Sequence, residues 1–428
     1  MKIIDIIELK RDGKMLSKEQ IDLFIDEMVK GKVPDYQISA FLMASFINGM
    51  NFDETYYLTD AMLNSGETLD IKEISENSYD KHSTGGIGDK VSLILIPILS
   101  ALGIPALKMS GRALGFTGGT IDKLESIPGF KIDLSEAEIS SQVKSVGAVI
   151  CEATKKFAIA DKILYALRDV TATVESIPLI ASSIMSKKLA INNKALIIDL
   201  KMGSGAFMKN IEDARKLAHT MKDIAIRYNR LCKVAITNMD APLGYTIGND
   251  LEIIETIQIL KGERKSKALD ISATLGAYVL KMLKGVEIEE GIRMINETIE
   301  NHTAYEKLIE IVKAQGGDIS YIKDESKFSL SNKALSIYAD SDGYVKYDAY
   351  KFGKISLLSG CGREKKNEKI DYGAGILFNK MDGEYVKKGD ILYDIYCNKD
   401  ISEIKLLTQS ASRILSEPFE RQLIYEVI

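Results

Sequence analysis

The chain has 428 residues, a hydrophobic fraction of 46%, a charged fraction of 27% and a formal net charge of -5. Its length allows two or three hydrophobic cores, because single cores stop growing near ~250–300 residues. The acidic balance argues against a general nucleic-acid-binding protein, since such proteins usually carry a basic face. The N-terminus lacks the pattern of a signal peptide, and the longest uncharged run, residues 91–107, is interrupted by Pro97, Gly103 and Pro105. We therefore expect a cytoplasmic protein that binds neither membrane nor nucleic acid, with its four cysteines buried and reduced.

Residues 1–66 show helical patterns only. Ser17 and Gln20 have the spacing of a capping box ahead of an apolar helical face. From residue 67 to about 335, short apolar runs alternate with helical ones, which is typical of a mostly parallel sheet covered by helices. Run 91–107 is predicted to be a buried helix followed by a core strand.

Residues 336–428 contain short alternating runs separated by Asp-Gly and Lys-Gly turns, which predict a small β-rich domain. The segments SIYADSDGYVKYDAY, KISLLSGCG and GILFNKMDGEYVKKGDILYDIYC are all interpreted as strands of this domain.

The stretch KHSTGGIGDK, residues 81–90, places two lysines and a histidine around three glycines. Glycines let the backbone approach a ligand closely, and bare amides with lysines suit an anion, so a phosphate-sized partner is expected. The stretch matches neither the Walker pattern nor GxGxxG. The segment SGRALGFTGGTIDKLE, residues 110–125, offers further hydroxyls and amides before a helical run, as a second half of an anion site would.

A third polar segment sets Tyr165 and Arg168 three residues apart on one helical face, followed by a cluster of Ser183, Ser186 and Lys187. Tyrosine and arginine suit a planar ring that carries carbonyl groups. Each signal alone also has a plain structural interpretation. Arg168 could belong to a surface ion-pair network, and the serines could be helix caps.

Four motifs together, KHSTGGIGD, SGR to DKLE, LYALRD followed by SIMSKK, and PLGYTIGN, resemble the pyrimidine-nucleoside phosphorylases and thymidine phosphorylases. The resemblance extends over nearly the whole chain. It implies an α/β fold with an N-terminal helical domain, a discontinuous, mostly parallel α/β domain and a C-terminal β-rich (α+β) domain. The expected boundaries are 1–66, with part of 160–190 returning to this domain, then 67–335 and 336–428.

The implied activity is reversible phosphorolysis of pyrimidine nucleosides to free base and pentose 1-phosphate, a salvage reaction with inorganic phosphate as co-substrate and no organic cofactor. The residues that the resemblance implies around the phosphate are Lys81, Ser83, Ser92, Lys108, Ser110 and Thr120, and Met109 is a further implied substrate-binding residue. Those implied around the base are His82, Tyr165, Arg168, Ser183 and Lys187. His82, Arg168 and Lys187 are the expected catalytic residues, because donors at the two base carbonyls stabilise the charge of the leaving base.

Lys108 bears on which sugar the protein accepts. In the thymidine-specific branch of the family that this chain resembles, the corresponding residue is methionine. A lysine can reach a ribose 2′-hydroxyl, so uridine is expected as a substrate beside thymidine and deoxyuridine. Cytidine should be poor, since its amino group would face a donor. Ala113 and Phe116 stand where the family usually has glycine and histidine. An apolar Phe116 would slow turnover or favour the deoxy sugar.

The resemblance also implies a metal site. Relatives in the branch of the family that accepts several pyrimidine nucleosides carry a potassium ion. Its oxygen ligands would correspond to Gly88, residue 90, Leu243, Thr246 and Glu255. Residue 90 is Lys90 here, where that branch has threonine. One hypothesis is that the Lys90 ammonium replaces the ion, because two carbonyls and the Glu255 carboxylate could accept its three protons. The alternative is that Lys90 points into solvent and the ion still binds.

Two other function classes stay open. A related phosphoribosyl enzyme, an anthranilate phosphoribosyltransferase or an AMP phosphorylase, shares the architecture, although the base-binding set argues against both. A non-catalytic nucleoside-binding descendant is favoured only by Phe116.

A homodimer through the N-terminal helices is also expected. The resemblance suggests it, and the apolar stripe of residues 17–31 with Phe41, Leu42 and Phe46 exceeds what three short helices can bury among themselves.

Overall fold

A computed structural model describes residues 1–112, 118–152, 156–363 and 368–428. The chain begins with four helices, α1 (Ile3–Arg11), α2 (Lys18–Val29), α3 (Asp35–Asn48) and α4 (Phe52–Asn64). The predicted capping box opens α2, where Ser17 accepts from the amide of Gln20. The helices share one apolar cluster with Ala160, Leu164 and Leu179, so a later part of the chain packs among them.

A six-stranded sheet follows, with strand order β13-β5-β4-β1-β2-β3, in which β13 (Ile424–Val427) comes from the end of the chain. Its first five strands in the chain are β1 (Tyr79–Ser83), β2 (Ala106–Ser110), β3 (Ala148–Glu152), β4 (Ala195–Met202) and β5 (Leu231–Asn238). All neighbours among these five are parallel. Every residue of β4 is buried, as expected for a strand covered on both faces. The predicted mostly parallel α/β fold is therefore confirmed.

Helices cover both faces of this sheet and fill the connections. In chain order they are α5 (Lys72–Ser75), α6 (Val91–Ala101), α7 (Thr120–Glu125), α8 (Glu136–Val146), α9 (Ile159–Arg168), α10 (Ile177–Leu189), α11 (Ile211–Arg227), α12 (Asn249–Leu260), α13 (Lys267–Lys284), α14 (Ile288–Glu300), α15 (Thr303–Ala314) and α16 (Ile319–Lys323), with a 3₁₀ turn at Glu325–Lys327. The run 91–107 forms helix α6 and the start of β2, as the sequence predicts. Among the helices of the described ranges, none combines the length and apolar character needed to cross a bilayer.

The C-terminal region contains a four-stranded sheet, β6-β9-β11-β7, and a three-stranded sheet, β10-β8-β12. The bounds are β6 (Thr246–Ile247), β7 (Lys333–Tyr338), β8 (Gly343–Tyr347), α17 (Ala349–Ser359), β9 (Gly375–Phe378), β10 (Tyr385–Val386), β11 (Ile391–Tyr396), α18 (Ser402–Ala411), β12 (Ser412–Leu415) and β13 (Ile424–Val427). The β-rich character is confirmed, but the interpretation of KISLLSGCG as a strand is wrong, because it lies in α17 and the turn after it.

Two strands connect this region with the rest of the molecule. In the chain, β6 lies between β5 and α12, but in space it pairs with β9 of the C-terminal region. β13 adds antiparallel to β5 at the edge of the central sheet. The last strand of the region assigned to 336–428 is therefore part of the α/β sheet.

Candidate active site

The order of strands in the central sheet reverses at β1. The chain runs outward from β1 through β2 to β3, then returns to the other side of β1 and continues through β4 to β5. Ligands of open α/β sheets bind at such a switch point, outside the carboxyl ends of the strands. The glycine-rich stretch 84–90 follows directly from the carboxyl end of β1, so the fold places it at this point.

A cavity of about 330 Å³ lies at this edge. It brings together most of the residues predicted for the phosphate, namely Ser83, Ser92, Lys108, Ser110 and Thr120, together with the predicted substrate-binding residue Met109. Thr120 is the first residue of α7, so its hydroxyl and amide lie at a helix start. The two glycine-punctuated segments therefore form two walls of one cavity, as the sequence suggests.

A second cavity of about 200 Å³ adjoins the first. Tyr165, Arg168, Ser183 and Lys187, which were predicted to contact the base, all line it. The residues common to the linings of both cavities are His82, Ser83, Thr84, Tyr165, Ile184 and Lys187. An anion-suited compartment and a compartment suited to a polar ring are thus continuous.

Arg168 ends α9 and is only 2% exposed, so its interpretation as part of a surface ion-pair network is wrong. Its guanidinium donates to three backbone carbonyls of the following segment, those of Thr173, Val174 and Leu179, over 2.6–3.3 Å. A guanidinium has five N–H donors, so two are left for a ligand. The backbone bonds fix the group at the wall of the second cavity.

Lys187 is held by an ion pair of 2.8 Å between its Nζ and the carboxylate of Asp161. Ser183, one helical turn earlier on α10, accepts from the same Nζ at 3.3 Å. Both cations flank the Tyr165 ring, with Arg168 at 5.7 Å and Lys187 at 5.9 Å from its centroid. This arrangement presents positive charge beside an aromatic face.

His82 lies where the two cavities meet, and its Nε2 atom has no hydrogen-bond partner in the described part of the chain. Burial first, and then the charges of Lys188, Lys108, Lys187 and Lys81, lower its pKa well below the ordinary value. The imidazole is therefore neutral at pH 7, and it can share one hydrogen bond without adding charge.

Lys108 and Lys188 line the first cavity together. Burial, and next the charge of Lys188, lowers the pKa of Lys108 well below its ordinary value. Lys188 donates to Asp80 Oδ2 at 2.7 Å and to the Met109 carbonyl at 2.9 Å. These bonds connect α10, whose residues line both cavities, with β1 and β2 of the central sheet.

Lys81 is buried in β1. In the described part of the chain, it lines neither of the two cavities. Its buried Nζ is 3.4 Å from Asp199 and 3.9 Å from Asp89. Lys201 lies 2.7 Å from the same Asp199 carboxylate. Burial would raise the pKa of Asp89, but Lys201, Lys81 and Lys123 together lower it, so this carboxylate stays charged at the cavity wall. Contact between Lys81 and phosphate stays a prediction.

Sequence reasoning missed several lining residues, namely Thr84, Asp89, Phe157, Lys188 and Phe207. Lys188 had a signal, because it follows Lys187 in SIMSKK. Phe157 and Phe207 had none, since their chain segments carry no polar motif. Ala113 and Phe116, the departures noted from the sequence, lie outside the described residues.

The four metal-ligand positions predicted from the resemblance also come together. The carbonyls of Gly88, Leu243 and Thr246 and the carboxylate of Glu255 surround one point, and the ammonium of Lys90 occupies that point. The interpretation that places Lys90 in solvent is wrong, because this residue is 0% exposed.

Comparisons with known proteins identify the family. Residues 75–305 match the glycosyl transferase family a/b domain, residues 4–66 its helical bundle domain, and residues 344–414 the pyrimidine nucleoside phosphorylase C-terminal domain. The chain belongs to this glycosyl transferase family, so the family predicted from the motifs is confirmed.

The chain is similar to proteins named pyrimidine-nucleoside phosphorylase. It is 43% identical to that of Geobacillus stearothermophilus and 43% identical to that of Staphylococcus haemolyticus, each over 432 aligned residues and 100% of both chains. Among solved structures, it resembles an anthranilate phosphoribosyltransferase from Thermus thermophilus, with a TM-score of 0.57 and 15% identity over 73% of this chain and 99% of that one. This second likeness shows a shared fold alone.

Proposed function

We propose that the protein catalyses the reversible phosphorolysis of pyrimidine nucleosides, with uridine, thymidine and deoxyuridine as substrates. The observation that carries this proposal is the continuity of the two cavities, one lined by lysines, hydroxyls and a helix start, the other by Tyr165, Arg168, Ser183 and Lys187. Full-length similarity to proteins named pyrimidine-nucleoside phosphorylase supports the same reaction.

The proposed reaction forms a bond between a phosphate oxygen and the sugar C1′ while the bond from C1′ to the base nitrogen breaks. The bonding pair leaves with the base, and its charge spreads onto the two ring carbonyl oxygens. Arg168 and Lys187 stabilise that charge, with neutral His82 as a further hydrogen-bonding group at the junction of the cavities. Phosphate is the nucleophile, so catalysis consists of positioning and charge stabilisation.

The sugar would lie at the junction, where Lys108 approaches from the phosphate side. Burial lowers the pKa of Lys108, and its amine can donate to a ribose hydroxyl as well as to a phosphate oxygen. Acceptance of uridine is therefore part of the proposal. A cytoplasmic site of action is also part of it, since all four cysteines are buried and unpaired.

The test is the release of uracil or thymine from each nucleoside, measured by chromatography with and without inorganic phosphate. We expect release only with phosphate, in step with formation of a pentose 1-phosphate. Release without phosphate would contradict phosphorolysis, and use of thymidine alone would contradict the role of Lys108. Nucleoside binding without any release would indicate a non-catalytic protein.

The same assays address the phosphoribosyltransferase alternative. Anthranilate, a phosphoribosyl diphosphate and magnesium should yield no product, because the Arg168, Ser183 and Lys187 set is suited to a ring with carbonyl groups. Formation of a product in that mixture would favour the alternative.

A further inference from the structure

The side chain of Lys90 points into the protein. Lys90 closes the glycine-rich stretch at the residue before α6, and its side chain is 0% exposed. The ammonium donates to the carbonyls of Gly88 at 2.9 Å, Leu243 at 2.8 Å and Thr246 at 3.2 Å. The Glu255 carboxylate lies 3.0 Å away. Four oxygens from three chain segments therefore surround one positive charge.

Glu255 is fixed from its other sides as well. It accepts from the Thr246 hydroxyl at 2.6 Å, from the Tyr245 amide at 3.0 Å and from the Ser266 hydroxyl at 3.0 Å. These bonds orient the carboxylate toward Lys90 and join α12 to the segment before it. A buried charge pair of this kind is stable only when each partner is also hydrogen-bonded, as it is here.

The backbone around the ammonium leaves no spare room. Gly88 has a φ of +71°, and a side-chain carbon on it would lie 2.6 Å from the Leu243 carbonyl oxygen. Gly244 has a φ of +80°, and a side-chain carbon there would lie 2.3 Å from Glu255 Oε1 and 2.8 Å from Lys90 Nζ. The pocket is therefore shaped around a single small cation.

The same oxygens would hold a monovalent metal ion if residue 90 supplied an oxygen instead of an ammonium. With Lys90 present, the residues do not fit that ion, because the ammonium already binds all four oxygens and like charges at this separation repel. The Lys90 ammonium and a monovalent metal ion therefore exclude each other from this pocket.

This cluster adjoins the candidate active site. Asp89 precedes Lys90 directly in the chain, and Ser92 follows two residues after it. Both line the first cavity, the one of about 330 Å³. A second buried lysine acts in parallel, since Lys123 donates to the Asp89 carbonyl at 2.8 Å and pairs with Glu252 at 2.6 Å. Two lysines thus join the glycine-rich stretch to two carboxylates on α12.

We propose that Lys90 is a built-in cation that takes the place of a bound potassium ion and fixes the phosphate-side loop to the segment 243–255. The enzyme would then work independently of the monovalent cation in solution. The activity part of this inference rests on the proposed function, whereas the structural part does not.

The experiment measures the thermal midpoint without substrate, and the initial rate with uridine and phosphate, in potassium, sodium and tetramethylammonium salts at equal ionic strength. For the unmodified protein we expect rates within about 2-fold and midpoints within about 1 °C. A rate or a midpoint that rises strongly in potassium alone would overturn the proposal.

Lys90→Thr provides the second arm, because it restores an oxygen and removes the ammonium. We expect a lower midpoint and a rate reduced by about 10-fold or more in sodium and tetramethylammonium, with both recovered in potassium. Lys90→Met, which supplies no oxygen, should stay impaired in every salt. Lys14→Thr, at an exposed lysine, is the matched control and should behave as the unmodified protein.

The midpoint separates this inference from the proposed function. A Lys90→Thr variant whose midpoint ignores potassium would overturn the built-in cation even if phosphorolysis is confirmed. Potassium-dependent stability in Lys90→Thr would support it even if the substrate is a different one.

Discussion

Arg168 and Lys187 reach the same compartment from two consecutive helices, and groups of the protein hold both. Backbone carbonyls fix Arg168, and Asp161 fixes Lys187. Such fixed donors need little rearrangement when charge develops on the leaving base, which is the condition for strong electrostatic stabilisation.

Alanine at either position should therefore be costly. We expect Arg168→Ala and Lys187→Ala each to lower kcat/KM by roughly 10²–10³, the usual loss when one preorganised donor is removed. The double variant should lose less than the product of the single losses, because both cations act on one charge. Arg293→Ala, at an exposed arginine on α14, is the control. Near-normal steady-state kinetics in a single variant would exclude that residue from base binding.

Asp250 is a buried carboxyl at the start of α12, 5% exposed, and its Oδ1 atom finds no hydrogen-bond partner in the described ranges. Burial raises its pKa to about 6, with a further contribution from Asp371. An unfolded aspartate titrates near ~3.9, so the folded state binds the extra proton between about pH 4 and 6. Stability is therefore lost as pH rises through that window.

Asp250→Asn should remove this penalty. At pH 7.5 we expect a gain of about 3 kcal/mol in the free energy of unfolding, since the pKa of about 6 lies roughly two units above the unfolded value and each unit corresponds to ~1.4 kcal/mol. The gain should vanish near pH ~3, below the unfolded pKa of ~3.9, where the carboxyl is protonated in both states. Urea unfolding at several pH values measures it, with the exposed Asp223→Asn as control. A gain that does not depend on pH would show that ionisation is not the cause.

At the scale of elements, the site depends on how the segment before α12 meets the glycine-rich stretch. Gly244 in that segment combines a positive φ with close contact to Lys90 and Glu255. Gly285, which ends α13, has a similar φ of +69°, but a side-chain carbon on it would meet no atom within 4 Å in the described part of the chain. A comparison of substitutions at Gly244 and Gly285 therefore separates the effect of backbone strain from that of steric crowding.

Gly244→Ala should destabilise the protein more than Gly285→Ala. Strain at positive φ costs about 1–3 kcal/mol in both variants, and overpacking adds about 1–3 kcal/mol only at Gly244. Only Gly244→Ala should also lower the rate of phosphorolysis, because it disturbs the loop beside Asp89. Equal losses in denaturant unfolding would mean that the Lys90 cluster can adjust to the added methyl group.

The elements with strong local signals were predictable from the sequence. The capping box of α2 and the alternation that predicts the parallel sheet depend on short-range patterns, and the structure confirms both. Helix α17 was missed, because KISLL is a short apolar run that fits strand or helix equally. Its N-cap Asp348 and its left-handed Gly360 were the overlooked signals. β13 could not be predicted, since its pairing with β5 is set by tertiary contact alone.

The common location of the motif residues was also predictable, because the proposed phosphate and base would require particular donors close together. The supporting residues were harder. Lys188 bonds to Asp80 and Met109, which are far from it in sequence, so no local pattern indicates that role. The surroundings of Lys81 likewise depend on Asp199 from another strand.

At the scale of the whole molecule, the N-terminal helices leave an apolar face uncovered, although Phe46 is the one exposed member of the cluster Phe41, Leu42 and Phe46 that the sequence suggested. Phe41 and Leu42 are fully buried, and the stripe of α2 packs into the helical core. Four exposed apolar side chains lie on α3, where Tyr36 is 74%, Met43 37%, Phe46 38% and Ile47 71% exposed. Residues 36, 43 and 47 share one helical face.

A second copy of the chain is the proposed partner of this face, because a contiguous apolar stripe on one helix can pack against itself about a two-fold axis. We expect light scattering at micromolar concentration to give twice the chain mass for the unmodified protein. Met43→Glu combined with Ile47→Glu should give the single-chain mass, since the contact would bury like charges against each other. Ile226→Glu, at an exposed isoleucine on α11, adds a charge elsewhere and should leave the dimer intact. A single-chain mass for the unmodified protein, or a dimer that survives the double substitution, would place the contact elsewhere or exclude it.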